Sequence, residues 1–289
     1  MQGYFLQRNY EAANINLKML PKKRKLEDGS IGIGGTGVVT NSTYVIVWDF
    51  YTCEIHICKT SLEKITTVKT KRKIVSVCID NNHSVYVCMY YYTRIPRYDI
   101  EKLQFEAEEI HTKDKLYPIF CFINNNQNIV CIVNSGGVVT VPYSDIHFYD
   151  TESKGFLNKF FYSIGDETDL ITPNSIQQNS RGDYYILDEQ FIFCYDQTFQ
   201  FLFKTKLEGT IRTHTSLYID PYDLLYTISV RDYTIHVYDC DGAVMARVPV
   251  DNRHDIAEMY RQKISSRGTS MIYANRNRVL FLDIPHGKE

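Results

Sequence analysis

An all-β, six-bladed β-propeller of four-stranded blades, its ring closed by an N-terminal strand that completes the last blade, is the fold this sequence predicts. Three observations carry the prediction. An apolar strand ending in an aromatic residue or Leu and then Asp recurs at Trp48-Asp49, Tyr98-Asp99, Tyr149-Asp150, Tyr195-Asp196, Tyr238-Asp239 and Leu282-Asp283. The aspartates are 50, 51, 46, 43 and 44 residues apart, and a sustained period in the forties marks a radial array of small sheets. Within each unit, short apolar runs alternate with Asn, Asp and Gly turns, which is the anatomy of a blade.

Composition sets the outer limits. The repeat runs from Asp49 to Asp283 without a break, so residues 1–289 read as one propeller domain. Residues 21–37 form a basic and Gly-rich loop within its first blade. The formal net charge is -2, with 32 Lys and Arg against 34 Asp and Glu; a general affinity for polyanions is not expected, and any basic surface must be local. Cys78, Cys88, Cys121, Cys131 and Cys194 lie inside apolar strand patterns, where a free thiol behaves as a small hydrophobe. No Cys-x-x-Cys pair or zinc-like Cys/His spacing occurs. The N-terminus lacks the apolar region of a secretory signal, and no run is long enough to span a membrane. The expectation is an intracellular protein without a membrane segment.

The elements follow in order. Tyr4-Phe5-Leu6 is a short apolar segment without a hairpin partner nearby, and Asn14–Leu20 alternates as a strand does. Pro21 is followed by Lys22, Lys23, Arg24 and Lys25; four consecutive cations read as a nuclear localisation signal for an import receptor, the alternative being a solvated basic loop. Gly32-x-Gly34-x-x-Gly37 matches the dinucleotide fingerprint, but β-type sequence follows it where a phosphate-binding helix is required. It is read as a loop or bulge, and no cofactor is expected. Four strands are expected in each of units two to five, at Val75–Ile79, Ser84–Tyr90, Ile95–Tyr98 and Phe105–Glu109 in the second and at corresponding places to Val244–Val248 in the fifth. The sixth unit stops after its third strand, Arg278–Leu282, and Tyr4-Phe5-Leu6 is available to complete it and cover the edge. One helix is expected, over 251–262.

Pro173-Asn-Ser-Ile176, Gly182-Asp-Tyr-Tyr-Ile-Leu-Asp188 and Ile192-Phe-Cys-Tyr-Asp196 together resemble an NHL-type repeat. The fifth unit is similar at Leu217–Ile219, Leu224–Ile228 and Ile235–Asp239. The resemblance implies a six-bladed propeller, and some members of that family bind single-stranded RNA on one face.

Enzymatic signatures are sparse. Calcium in a propeller channel needs several carboxylate or amide oxygens converging from the inner strands. The Asp- and Asn-rich places, around Asp80, Asn124, Asn179 and Asp220, instead fall between first and second strands, where turns favour those residues. The eight histidines are scattered and no Gly-x-Ser-x-Gly elbow occurs, so no catalytic residue and no metal ligand is assigned. The repeated Asp after each strand is read as a turn cap.

One local surface stands out. The loop entering a blade and the turn between its second and third strands share a face. This places Lys69, Lys71, Arg72 and Lys73 beside Tyr91, Tyr92 and Arg94, and in the sixth unit groups Arg261, Lys263, Arg267, Arg276 and Arg278. Cations among aromatics suit single-stranded nucleic acid; ordinary solvated loops are the alternative. The main functional expectation is a non-enzymatic nuclear scaffold that engages a protein or peptide partner through this face. The alternatives are single-stranded RNA binding there, or a metal-dependent hydrolase or lactonase in the central channel.

Overall fold

β-Branched and aromatic residues dominate the chain from Gly37 onward, and the runs they form hydrogen-bond into small antiparallel sheets. The computed structural model describes residues 37–61, 63–134, 144–161, 173, 175–188, 190–207, 214–220, 222–229 and 234–249, and the backbone of 264–267, 270–275 and 278–283. The first blade holds β1 (Gly37–Thr40), β2 (Tyr44–Asp49), β3 (Glu54–Lys59) and β4 (Lys64–Lys69). The second is built from β5 (Ile74–Ile79), β6 (Ser84–Met89), a third strand split into β7 (Arg94–Ile95) and β8 (Arg97–Asp99), and β9 (Gln104–Phe105). A short β10 (Ile110–His111) returns to pair with β7. The third blade has β11 (Tyr117–Ile123), β12 (Ile129–Asn134), β13 (Ser144–Tyr149) and β14 (Phe156–Phe161). The fourth has β15 (Ser175–Gln178), β16 (Tyr184–Leu187), β17 (Phe191–Tyr195) and β18 (Phe201–Lys206). The fifth has β19 (His214–Ile219), β20 (Leu225–Ser229), β21 (Thr234–Tyr238) and β22 (Val244–Pro249). A three-stranded sheet follows, β23 (Ile264–Arg267), β24 (Ser270–Asn275) and β25 (Arg278–Asp283).

The fold is therefore an all-β propeller that shows, among the described residues, five four-stranded antiparallel blades, where six were expected. The sixth unit has three strands, and the Tyr4–Leu6 segment offered as its fourth lies outside the described residues. So do the expected strand at Asn14–Leu20, the Lys22–Lys25 cluster and the expected helix over 251–262.

The reading of the first unit needs a correction. Trp48-Asp49 ends the second strand, β2, whereas Tyr98-Asp99, Tyr149-Asp150, Tyr195-Asp196 and Tyr238-Asp239 end third strands. A strand-ending Asp is useful at either turn, because its carboxylate caps backbone N–H groups wherever the chain reverses. Asp49 Oδ1 accepts from the amides of Tyr51 and Thr52, just as Asp196 Oδ1 accepts from those of Thr198 and Gln200. In the second blade, Pro96 lacks the N–H that would continue the ladder, and it separates β7 from β8. The expected outer strand over 105–109 shrinks to Gln104–Phe105 as the chain turns back to β10.

Burial follows the blade order. All six residues of β6 are buried, while in β18 four of six are exposed. Inner strands are covered on both faces by neighbouring blades, so they read as continuous apolar runs. Successive side chains go to opposite neighbours: Tyr184 joins the core shared with the third blade, and Tyr185 the core shared with the fifth. The largest inter-blade core in the first half unites Trp48, Ile55 and Ile57 with Ile74, Val85 and Val87.

The turns between first and second strands interlock around one face. Asn41 Nδ2 donates to the Asp80 carbonyl at 3.2 Å, and the Asn81 amide to Gln127 Oε1 at 3.2 Å. The Asn125 amide donates to Gln178 Oε1 at 2.8 Å, and the Ser180 amide to Asp223 Oδ1 at 2.8 Å. Each bond joins one blade to the next. The Asp- and Asn-rich stretches are turns, as expected from their sequence.

Candidate functional site

Two places merit comparison, and they lie at opposite ends of the inner strands. The first is the cationic face. Residues 69–73 lead into β5 and residues 90–94 join β6 to the third strand, so antiparallel pairing brings both loops to the same end of the second blade. The contacts confirm it: Arg72 Nη1 donates to the Tyr91 carbonyl at 3.2 Å, and its guanidinium lies 5.1 Å from the Tyr92 ring centre. Lys73 Nζ lies 4.9 Å from the Phe50 ring, on the adjacent turn of the first blade. Lys69 pairs with Glu54 at 3.9 Å and Arg94 with Glu109 at 3.2 Å, while the Tyr92 hydroxyl donates to Glu109 at 2.9 Å. Lys69, Arg94 and Tyr92 are thus engaged with carboxylates of the fold, which leaves Lys71, Arg72 and Lys73 without an ion pair among the described residues. Of the sixth-unit residues assigned to this face, Arg261, Lys263 and Arg276 lie outside the described residues. For Arg267, in β23, and Arg278, in β25, the backbone position alone is described. The sequence reading placed Tyr90 in the same turn as Tyr91 but missed Phe50, Tyr51 and Tyr117, which join them in a run of touching rings. Their separation along the chain hid them, since nothing local links residue 50 to residue 117.

The second place is a cavity of roughly 170 Å³ between the first strands β1, β5, β11, β15 and β19. Consecutive residues such as Val38, Val39 and Thr40 all line it. Neighbouring side chains of a strand point to opposite faces, so a wall built from consecutive residues is a strand edge, with backbone facing the axis. Val77, Cys78 and Ile79 are the last three residues of β5, and Val38, Val39 and Thr40 the last three of β1. The cavity therefore sits at the interlocked-turn end, away from the cationic loops. Most residues along it are apolar, but the lining is mixed, since strand-edge backbone and the hydroxyl and amide groups of Thr40, Ser175, Gln177 and Tyr218 face it.

Titratable groups inside the blades are structural. His56 and His147 are buried in the third strands β3 and β13. Each imidazole Nδ1 meets a hydroxyl, Thr67 Oγ1 at 3.1 Å for His56 and Tyr149 at 3.1 Å for His147. Burial pushes both below the usual imidazole value of 6.5, outweighing the nearby carboxylates Glu54 and Asp145. Both are neutral in the fold at pH 7, and the unfolded chain binds protons more readily than the native one below pH 6.5. Their contribution to stability is then complete above about pH 6.5 and is lost as pH falls through that value toward the lowered native ones. Denaturant midpoints measured from pH 8 to pH 5 should fall on the acid side, and His147→Gln should flatten that fall. All eight cysteines are free, and burial raises the thiols of Cys58 and Cys194 away from the reactive thiolate range.

The metal-dependent alternative can be tested on donors. Asp80 opens the turn after β5, and its two oxygens are taken by the Ser84 amide at 2.8 Å and the Tyr86 hydroxyl at 3.0 Å. Asp220 accepts from the amides of Tyr222 and Leu224 and from the Tyr226 hydroxyl. Among the described residues, no group of three or more His, Cys, Asp and Glu is placed to hold a metal ion. These carboxylates do not fit a calcium site at the axis, and no chemistry is routed through one.

No family model and no curated protein sequence matches the chain. The resemblance to NHL repeats thus has no family match behind it, and what stands of it is the propeller fold. The fold itself recurs in solved structures. Virginiamycin B lyase from Staphylococcus aureus aligns at a TM-score of 0.59 and 12% identity, covering 89% of this chain and 87% of that one. A streptogramin B lyase aligns at 0.62 and 10% identity, covering 91% and 97%. A gluconolactonase-like protein aligns at 0.67 and 13% identity, covering 92% and 94%. At such identities the likeness shows the fold alone. Against the expected non-enzymatic scaffold stands the finding that the solved structures sharing this architecture over nearly their whole length include lyases and a lactonase-like protein. Among the described residues no helix is long and apolar enough to cross a membrane.

Proposed function

We propose that this chain is a propeller enzyme that receives a small cyclic ester in the axial cavity and opens it, as a lactonase does. The observation that carries the reading is the cavity itself, placed where the first strands of five blades converge and bordered by the cross-linked turns. A concave site that combines apolar residues with polar groups able to orient a ligand is the usual form of a small-molecule site. The architecture shared with a gluconolactonase-like protein and two lyases supports an enzyme over a passive platform. In the hydrolytic step, water adds to the acyl carbon and the acyl carbon–oxygen bond breaks, giving a carboxylic acid and an alcohol. Gln177 and Thr40, both half-buried on the cavity wall, carry groups able to donate to the ester carbonyl.

Proton release from a panel of lactones, including gluconolactone, tests the reading, with virginiamycin B as a separate substrate for the lyase variant of it. Turnover that falls about tenfold in Gln177→Leu, with an unchanged melting temperature, is the expected result. If neither lactones nor virginiamycin B are consumed, with and without added calcium or magnesium, the enzymatic reading fails.

The same reading takes the three-stranded sheet as a sixth blade. In its support, β23 lies beside both β19 and β1, as the inner strand of a ring would. Tyr4–Leu6 is the proposed fourth strand.

A further inference from the structure

The cationic face carries an exposed aromatic run that the cavity chemistry does not use. Tyr51, Tyr90 and Tyr91 are 66%, 45% and 53% exposed, whereas most other tyrosines among the described residues, Tyr222 excepted, are buried or half-buried. They are held in place by one another. Phe50 meets Tyr51 at 5.3 Å and Tyr90 at 6.1 Å between ring centres, Tyr90 meets Tyr91 at 4.1 Å, and Tyr91 meets Tyr117 at 5.4 Å. The run thus crosses the first three blades at the end of the inner strands opposite the cavity. Lys71, Arg72 and Lys73 stand exposed beside it. The nearby carboxylates Glu54 and Glu109 are already paired with Lys69 and Arg94. The chain as a whole is slightly acidic, so this local excess of cations is a feature of the face and not of the composition.

We infer that this face binds single-stranded nucleic acid, with bases against the exposed tyrosines and phosphates at Lys71, Arg72 and Lys73. Two physical features favour that occupant. The exposed rings of Tyr51, Tyr90 and Tyr91, on turns of the first two blades, offer positions for bases to stack, and stacking tolerates any base sequence. Cations alongside them that hold no ion pair among the described residues match a phosphate backbone, which a folded acidic protein would present less regularly. A base-paired duplex keeps its bases stacked internally and would use the cations alone.

The test is fluorescence anisotropy of a labelled oligouridylate on the full chain at several salt concentrations. A duplex of matched length, heparin and polyglutamate serve as competitors. The expected result is binding whose affinity falls with salt by about 0.7 log units per log unit of salt for each phosphate contact. Tyr51→Ala and Tyr91→Ala should each weaken it about tenfold without changing the salt slope. Lys71→Ala and Lys73→Ala should each lower the slope by about 0.7. Lactone turnover in these variants should match the wild type, so the two proposals stand or fall separately. Equal affinity for duplex or heparin, with no effect of the tyrosine variants, would mean a generic polyanion patch and overturn the inference. Absence of binding at low salt, or preference for polyglutamate, would overturn it as well.

Discussion

Trp48→Ala should lower the free energy of unfolding by about 3–5 kcal/mol, a large share of what a single domain has. The side chain is fully buried and packs with Ile55, Ile57, Ile74 and Val85 between the first and second blades. Its ring also rests on the facing strand, where Gly37 is its cross-strand partner. A Cβ on Gly37 would fall against the indole ring itself. Gly37→Ala is therefore expected to cost about 1–3 kcal/mol in the native background through overpacking. In the Trp48→Ala background the same change should cost little, because the obstructing ring is gone. Urea denaturation of the four proteins reads the coupling directly. Additive costs would show that the ring does not depend on that glycine.

Asp80→Ala should destabilise by about 3 kcal/mol, although it removes only a small side chain. The carboxylate is buried at 3% exposure and holds the Ser84 amide and the Tyr86 hydroxyl. Its loss strands two buried donors, and an unmet buried donor costs more than a met one contributes. Tyr86→Phe should cost only about 1 kcal/mol, since the carboxylate keeps its backbone partner. The fifth blade repeats the arrangement with Asp220 and Tyr226, so Asp220→Ala should behave alike. Thermal and urea unfolding check all three. An Asp80→Ala protein within about 0.5 kcal/mol of the wild type would mean that water replaces the clasp.

The strand-ending aspartates made the repeat legible because turn capping is a local demand, met by residues two to four positions away. The same signal misled in the first blade, where Asp49 caps the turn after the second strand. A cap reveals that the chain turns, not which turn of the blade it is. The cationic loops were visible for the same local reason, since residues 69–73 are contiguous. The aromatic run was not, because Phe50, Tyr91 and Tyr117 meet only after three blades have packed.

From sequence alone, then, came the all-β class, the four-stranded blade and the places of the turns, since these depend on alternation and capping over a few residues. The tertiary structure decided that five blades are four-stranded, that the cavity and the cationic face occupy opposite ends of the inner strands, and that the aspartates of the turns are already committed to their own backbone. Those facts rest on contacts between residues tens of positions apart, and only packing brings such residues together.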